Sequence, residues 1–229
     1  MSQFEQSVVR TQDSILATNK VLKNTYVLLS VTLIFSALMA FVATQVVPPQ
    51  SMFIVSISCT IAAFVILLFV LPRYEESSGI GGLVATFAFT GLLGFGIGPM
   101  LGTIMSHHPH GGQIVTTALG GTGVIFMALS AYVLTTKKDF SFLAGFLFAG
   151  LIVLILAMIA GFIFKFSALS LAINVGVLLI FSGFILFDTS RIIHGGEDNY
   201  IRACVGLYIS IYNIFTALLH ILMSFSGND

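Results

Sequence analysis

Seven long apolar runs, separated by short breaks, fill almost all of the chain after its first two dozen residues. They cover 26–47, 52–71, 80–105, 114–134, 142–164, 168–189 and 201–225. Each approaches or exceeds the roughly 20 apolar residues that a helix needs to cross a bilayer. The pattern therefore predicts an all-α chain, a bundle of seven transmembrane helices. Pro48, Pro49, Pro72, Gly111-Gly112 and Gly195-Gly196 mark the breaks. Loops this short make consecutive helices antiparallel neighbours. Residues 1–24 are polar and lack a convincing apolar period, which predicts a flexible cytoplasmic tail ahead of a membrane domain over 25–229. Fully extended, such a tail reaches roughly 80 Å.

Finer patterns lie inside the runs. In the third, Gly91, Gly94, Gly98 and Gly102 put two successive Gly-xxx-Gly steps on one face. Small residues at that spacing let helix backbones approach closely where lipid gives no hydrophobic drive. Packing within the bundle is the favoured use of this face, with homodimerisation as the alternative. Gly120-Gly121-Thr122-Gly123 in the fourth run is a candidate reciprocal surface. In the seventh run Gly206, Ser210, Asn213, Ala217, His220 and Ser224 recur at steps of four and three, forming one small or polar stripe. That stripe is expected to turn inward, with Leu207, Ile211, Ile214, Leu218 and Ile221 left for lipid or apolar packing.

Composition agrees with the pattern: 57% of the 229 residues are hydrophobic and 8% charged, at a mean hydropathy of +1.06. A soluble core would leave too little polar surface, and nothing suggests a nucleic-acid partner. The first run starts too late and is too long for a signal peptide, so it is expected to be retained as a helix. The zero net charge hides an asymmetry. Arg10, Lys20, Lys23, Arg73, Lys137, Lys138, Arg191 and Arg202 fall on one side of the membrane, and Lys165 on the other. The positive-inside rule then places the N-terminus in the cytoplasm and the C-terminus outside, with a basic face drawn to the anionic lipid of the bilayer. Cys59 and Cys204 lie toward opposite sides, so no disulfide is expected between them.

One carboxylate stands out. Asp188 lies within the sixth run, and an ionisable group at that depth is costly enough to be a candidate functional residue. Arg191, three residues on, can reach it along one helix. Two readings are open: a structural ion pair fixing the helix end, or a carboxyl whose charge responds to protons because burial and a nearby cation pull on it in opposite senses. An intramembrane aspartyl protease would need a second membrane carboxylate, and there is none. A Ser210–His220 dyad fails as well, since ten residues of helix separate them by roughly 15 Å. The chain shows no duplicated half of the kind that marks inverted-repeat transporters. His107, His108 and His110 form a weak candidate metal site in one loop, where solvated side chains are the commoner outcome. No cofactor is indicated, and nothing points to an enzyme.

Several segments resemble the Bax inhibitor (TMBIM) family: Phe87-Ala88-Phe89-Thr90-Gly91 with Gly98-Pro99, Ala118-Leu119-Gly120-Gly121-Thr122, and above all Gly183-Phe184-Ile185-Leu186-Phe187-Asp188-Thr189 followed by Asp198-Asn199-Tyr200-Ile201. Thr135-Thr136-Lys137-Lys138-Asp139 and the stretch from Ile193-His194-Gly195-Gly196-Glu197 to Tyr212-Asn213-Ile214-Phe215 resemble its bacterial YccA branch. The resemblance implies a bundle in which helix seven is central. It also implies a pH-sensitive calcium leak governed by two membrane aspartates that share a proton. Asp188 matches the first aspartate. The family's Tyr-x-Asp-x-x-Asn pattern reads Tyr208-Ile209-Ser210-Ile211-Tyr212-Asn213 here, so the second is replaced by Ser210. Asp188, Ser210, Arg191, Tyr208 and Asn213 are accordingly the candidate proton-sensing or gating residues, with an Asp188–Ser210 hydrogen bond as a substitute for the lost pair. The YccA branch implies another role in the bacterial inner membrane, modulation of the FtsH-type membrane protease. A gripped tail followed by an extraction-resistant bundle would occupy that protease.

Overall fold

A computed structural model describes residues 3–74, 79–164 and 167–226. Among them every long element is a helix and there is no strand. The helices are α1 (Gln3–Val46), α2 (Met52–Tyr74), α3 (Ile80–His107), α4 (Gly111–Thr136), α5 (Ala144–Phe164), α6 (Ser167–Ile193) and α7 (Tyr200–Ser226). All seven are long and apolar enough to cross a membrane. Breaks fall at Pro48-Pro49, beside Gly111-Gly112 and at Gly195-Gly196 as the sequence marks, but Pro72 stands inside α2, which continues to Tyr74, just as Pro99 stands inside α3. Two local differences appear. α1 extends back to Gln3, through residues that the sequence predicts as a flexible tail, and α2 carries a π-helical turn at Ile66–Val70. Lys165, the one cation assigned to the opposite side, lies outside the described residues.

Large apolar side chains cover the outside. Phe53, Ile54, Phe64, Leu68 and Phe69 of α2 and Phe146, Ile152, Val153 and Leu156 of α5 are exposed, as expected where hydrocarbon is the solvent. Burial is greatest in α3, at 56% of its most apolar stretch, and next in α7, at 44%. α7 packs against α1, α3, α4 and α6, while α2 lies on α3 and α5 on α6.

The closest helix approach joins α1 and α3. A Cβ at Gly94 would strike the Ser36 carbonyl, and one at Gly98 would strike the Ala40 carbonyl and the Ala43 side chain. Gly91 faces the Phe35 ring, and Gly102 sits more loosely beside Thr44. Gly96, on another face of α3, meets Cys59 of α2, and the Ser56 hydroxyl donates to the Gly96 carbonyl at 2.7 Å. The glycine face thus serves α1, and the α4 glycines do not reciprocate it. A Cβ at Gly120 or Gly123 meets nothing within 4 Å, and Gly121 faces Leu218 of α7. Cys59 and Cys204 are free thiols.

Candidate functional site

The short connection between α6 and α7 builds the site. α6 ends in a left-handed residue, Gly195, at φ +74°. The Gly196 N–H reaches back to the Arg191 carbonyl at 2.8 Å, and the Gly195 N–H to Ile192 at 3.4 Å. This paired pattern closes a helix end with glycine in the position that a side chain would strain. Four residues later the buried Asn199 starts α7, accepting the Ile201 N–H on its side-chain oxygen at 2.8 Å.

Glu197 folds back between these two caps. It is only 6% exposed. Its Oε2 is 3.2 Å from Nη2 of Arg191, its Oε1 is 3.7 Å from Nε of Arg202, and the Asn199 N–H donates to Oε1 at 3.2 Å. One carboxylate therefore ties the end of α6 to the start of α7. Arg191 also donates to the Gly196 carbonyl at 3.0 Å and lies 5.5 Å from the Phe187 ring centre. Arg191 spends its hydrogen bonds on the loop, on glutamate and carbonyl acceptors nearer its own end of the helix, and among the described residues it forms no ion pair with Asp188 within 4 Å. Glu197 was missed in the sequence because it lies in a polar loop. The available signal was its place six residues after one arginine and five before another.

Asp188 lies one and a half turns deeper, half-buried, with its carboxylate against α7 at Gly206. A Cβ there would come within 3.0 Å of Oδ2. Among the described residues it makes no side-chain hydrogen bond. Ser210 does not supply one, since its hydroxyl donates to the Gly206 carbonyl at 3.2 Å, one turn back on its own helix. The expected Asp188–Ser210 bond is thus absent, because Ser210 is drawn to a backbone acceptor and glycine fills the place opposite the aspartate. Asn213 likewise bonds its own helix, donating to Ile209 at 2.8 Å. The polar stripe of α7 turns inward through Ala217, but His220 and Ser224 are exposed, while Leu207, Ile211 and Ile214 are buried.

Tyr208 belongs to a different contact. Its hydroxyl donates to the Thr90 carbonyl of α3 at 3.1 Å, so Ser36 of α1, at 2.6 Å, must be the donor to it. One phenol joins three helices in the hydrocarbon zone, where unpaired polar groups are costly. Its ring packs edge-on to Phe89 and parallel to Tyr212.

A third junction ties the α4–α5 loop to the end of α6. His194 places Nδ1 2.9 Å from the Ser190 carbonyl and Nε2 3.1 Å from the Lys137 carbonyl. The Ser190 hydroxyl accepts the Phe140 N–H at 2.9 Å. Asp139 in that loop is held below the usual carboxylate range by hydrogen bonds from Ser141, whose N–H lies 2.8 Å away. His107, His108 and His110 sit at the end of α3 and the start of α4, where His107 Nδ1 is 2.9 Å from the Ser106 hydroxyl. Among the described residues, no three His, Cys, Asp or Glu side chains come together as a metal site.

Comparison with known proteins places this architecture. The family model described as inhibitor of apoptosis-promoting Bax1 matches residues 18–227. The chain is 48% identical over 216 residues, 94% of each chain, to a protein of Escherichia coli (strain K12) named modulator of FtsH protease YccA. A protein of Escherichia coli O6:H1 at the same identity and coverage is named inner membrane protein YccA. An uncharacterised membrane protein of Vibrio cholerae is 50% identical over 93% of each chain. None of these names is that of an enzyme. With seven membrane-length helices and a family match that runs from α1 to α7, this chain belongs to the Bax inhibitor family.

Proposed function

We propose that this protein is a non-enzymatic, multi-pass protein of the bacterial inner membrane that binds and inhibits an FtsH-type membrane protease. The observation that carries the reading is 48% identity over 94% of both chains to the Escherichia coli modulator of that protease. The physical basis is a handle joined to a body that resists pulling. Residues 1–24 act as the cytoplasmic segment that the unfoldase grips, and 25–229 form the membrane domain. The C-terminus lies outside, and α7 is the central helix. Two observations support that orientation. Lys137 and His194 meet at the same end as the Arg191–Glu197–Arg202 cluster. Gly82, at the start of α3, faces Ile201 at the start of α7 there.

Resistance to extraction comes from the α1–α3 contact, since pulling α1 must first separate backbones that touch across glycines. Val21 and Leu22 pack on the core, and removal of residues 2–20 keeps both. That deletion is expected to abolish inhibition in a degradation assay with the purified protease while circular dichroism and thermal unfolding stay unchanged. Inhibition that survives it would overturn the proposal. A proton-gated calcium leak is the weaker reading, because Ser210 replaces the second carboxylate and its hydroxyl is engaged by Gly206. Calcium flux into proteoliposomes that responds to pH and to Asp188→Asn would reverse the order.

A further inference from the structure

Where the α4–α5 loop meets the end of α6, both ring nitrogens of one histidine face carbonyl oxygens. His194 Nδ1 lies 2.9 Å from the Ser190 carbonyl on its own helix, and Nε2 lies 3.1 Å from the Lys137 carbonyl across the junction. A carbonyl only accepts, so both contacts are hydrogen bonds only when each nitrogen carries a hydrogen. Neutral imidazole has one N–H and one lone pair, whereas imidazolium has two N–H groups. The surroundings add two observations. Lys137, whose carbonyl meets Nε2, is the one non-glycine residue at positive φ among the described residues, at 51°, a conformation that a side chain makes costly. The Asp139 carboxyl, two residues on, is held low chiefly by hydrogen bonds from Ser141 and further by the positive charge of His194. The other charges on the elements packed here are engaged elsewhere or point no acceptor at the ring. Lys138 places Nζ 3.3 Å from the Tyr132 hydroxyl, and Arg191 and Arg202 share Glu197. Lys137 and Asp198 are exposed at the surface.

We propose that His194 is a proton-dependent clasp, whose imidazolium form ties the α4–α5 loop to the end of α6 and whose neutral form releases it. The neutral ring must choose between two acceptors. The shorter contact, to Ser190 within the helix, keeps the hydrogen, and a lone pair then faces Lys137. The attraction to Asp139 goes with the charge. Docking of the loop thus takes up a proton, so the docked state is favoured at low pH and weakens as pH rises through the titration of the ring. His194 is exposed at its outer edge, so it exchanges protons with the surrounding solution, over the range of about pH 5 to 8 in which histidine changes charge. The consequence falls on α5. That helix packs against α6 and starts from this loop through the turn at Ser141–Leu143, so an open clasp frees its near end. The device is separate from Asp188, whose carboxylate faces α7 at Gly206, and it does not depend on the protease reading.

Hydrogen exchange read by mass spectrometry, on the full chain in lipid nanodiscs, tests it. The Phe140 N–H, accepted by the Ser190 hydroxyl at 2.9 Å, reports the junction. The Gly196 N–H, bonded to the Arg191 carbonyl at 2.8 Å, reports the end of α6 itself. After correction for intrinsic exchange, protection of Phe140 in the wild type is expected to fall about fivefold between about pH 6 and pH 8, the contribution of one hydrogen bond. Protection of Gly196 should stay constant. His194→Gln can donate to a carbonyl but does not titrate, and should protect Phe140 equally at both pH values. Equal protection in the wild type, or a parallel fall at Gly196, overturns the proposal. A second measurement does not rely on the variant keeping the loop in place. The chain has five histidines, and in ring-labelled protein the nitrogen signals of His194 are those missing from His194→Gln. They are expected to show two protonated nitrogens at about pH 6 and one at about pH 8, changing together with the exchange. A neutral ring already at the lower pH, or a change that does not follow the exchange, also overturns it.

Discussion

Gly206 holds the place facing Asp188, and the space it leaves decides how the carboxylate lies. A valine there would drive two methyl groups into a carboxylate 3.0 Å from the new Cβ. Gly206→Val is therefore expected to destabilise the bundle by about 1–3 kcal/mol, read as a fall in thermal midpoint in detergent, and Asp188→Ala should recover part of it. Glu197 gives a second test. Glu197→Gln keeps the shape but removes the charge that Arg191 and Arg202 share. Because these arginines are 34% and 47% exposed, water compensates part of the loss, and about 1–2 kcal/mol is expected. Added salt should then shift the wild type more than the variant. Asp188 was legible as unusual from type and position alone, and Tyr208 only through the resemblance. Their partners were not, since Gly206 carries no chemistry of its own and Ser36 is one hydroxyl among many.

Helix pairing follows the same logic one level up. The Gly-xxx-Gly face of α3 is readable in the sequence as a surface of close approach, but the spacing does not say which helix fills it. The structure gives it to α1, which runs parallel to α3 two helices away in the chain. Gly94→Leu should cost about 3 kcal/mol, because the added side chain strikes the Ser36 backbone, which cannot rotate away. Gly120→Ala, in open space, should instead stabilise by about 0.5–1 kcal/mol through helix propensity. Chemical unfolding of the two variants separates a packing glycine from an idle one. The α6–α7 connection was legible only as a break: Gly195-Gly196 announces the turn, but not that it would seat Glu197 between two arginines.

On the scale of the molecule, the α1–α3 contact and the N-terminal segment form one mechanical unit. A protease pulling from the N-terminus meets the tightest interface first. The Gly94→Leu variant should therefore be degraded faster than wild type by the FtsH-type protease and lose its ability to compete with other substrates, as gel-based turnover assays would show. Equal turnover would place the resistance elsewhere in the bundle. The sequence by itself determined the number of membrane-length helices and most of the breaks between them, because hydrophobic length and helix breakers are local properties that each segment carries alone. Tertiary structure decided which glycines touch a neighbour, where Arg191 directs its charge, and that Ser210 bonds backbone instead of Asp188. Those outcomes depend on how helices distant in the chain rotate and tilt against one another, and the periodicity of a single helix leaves that rotation open.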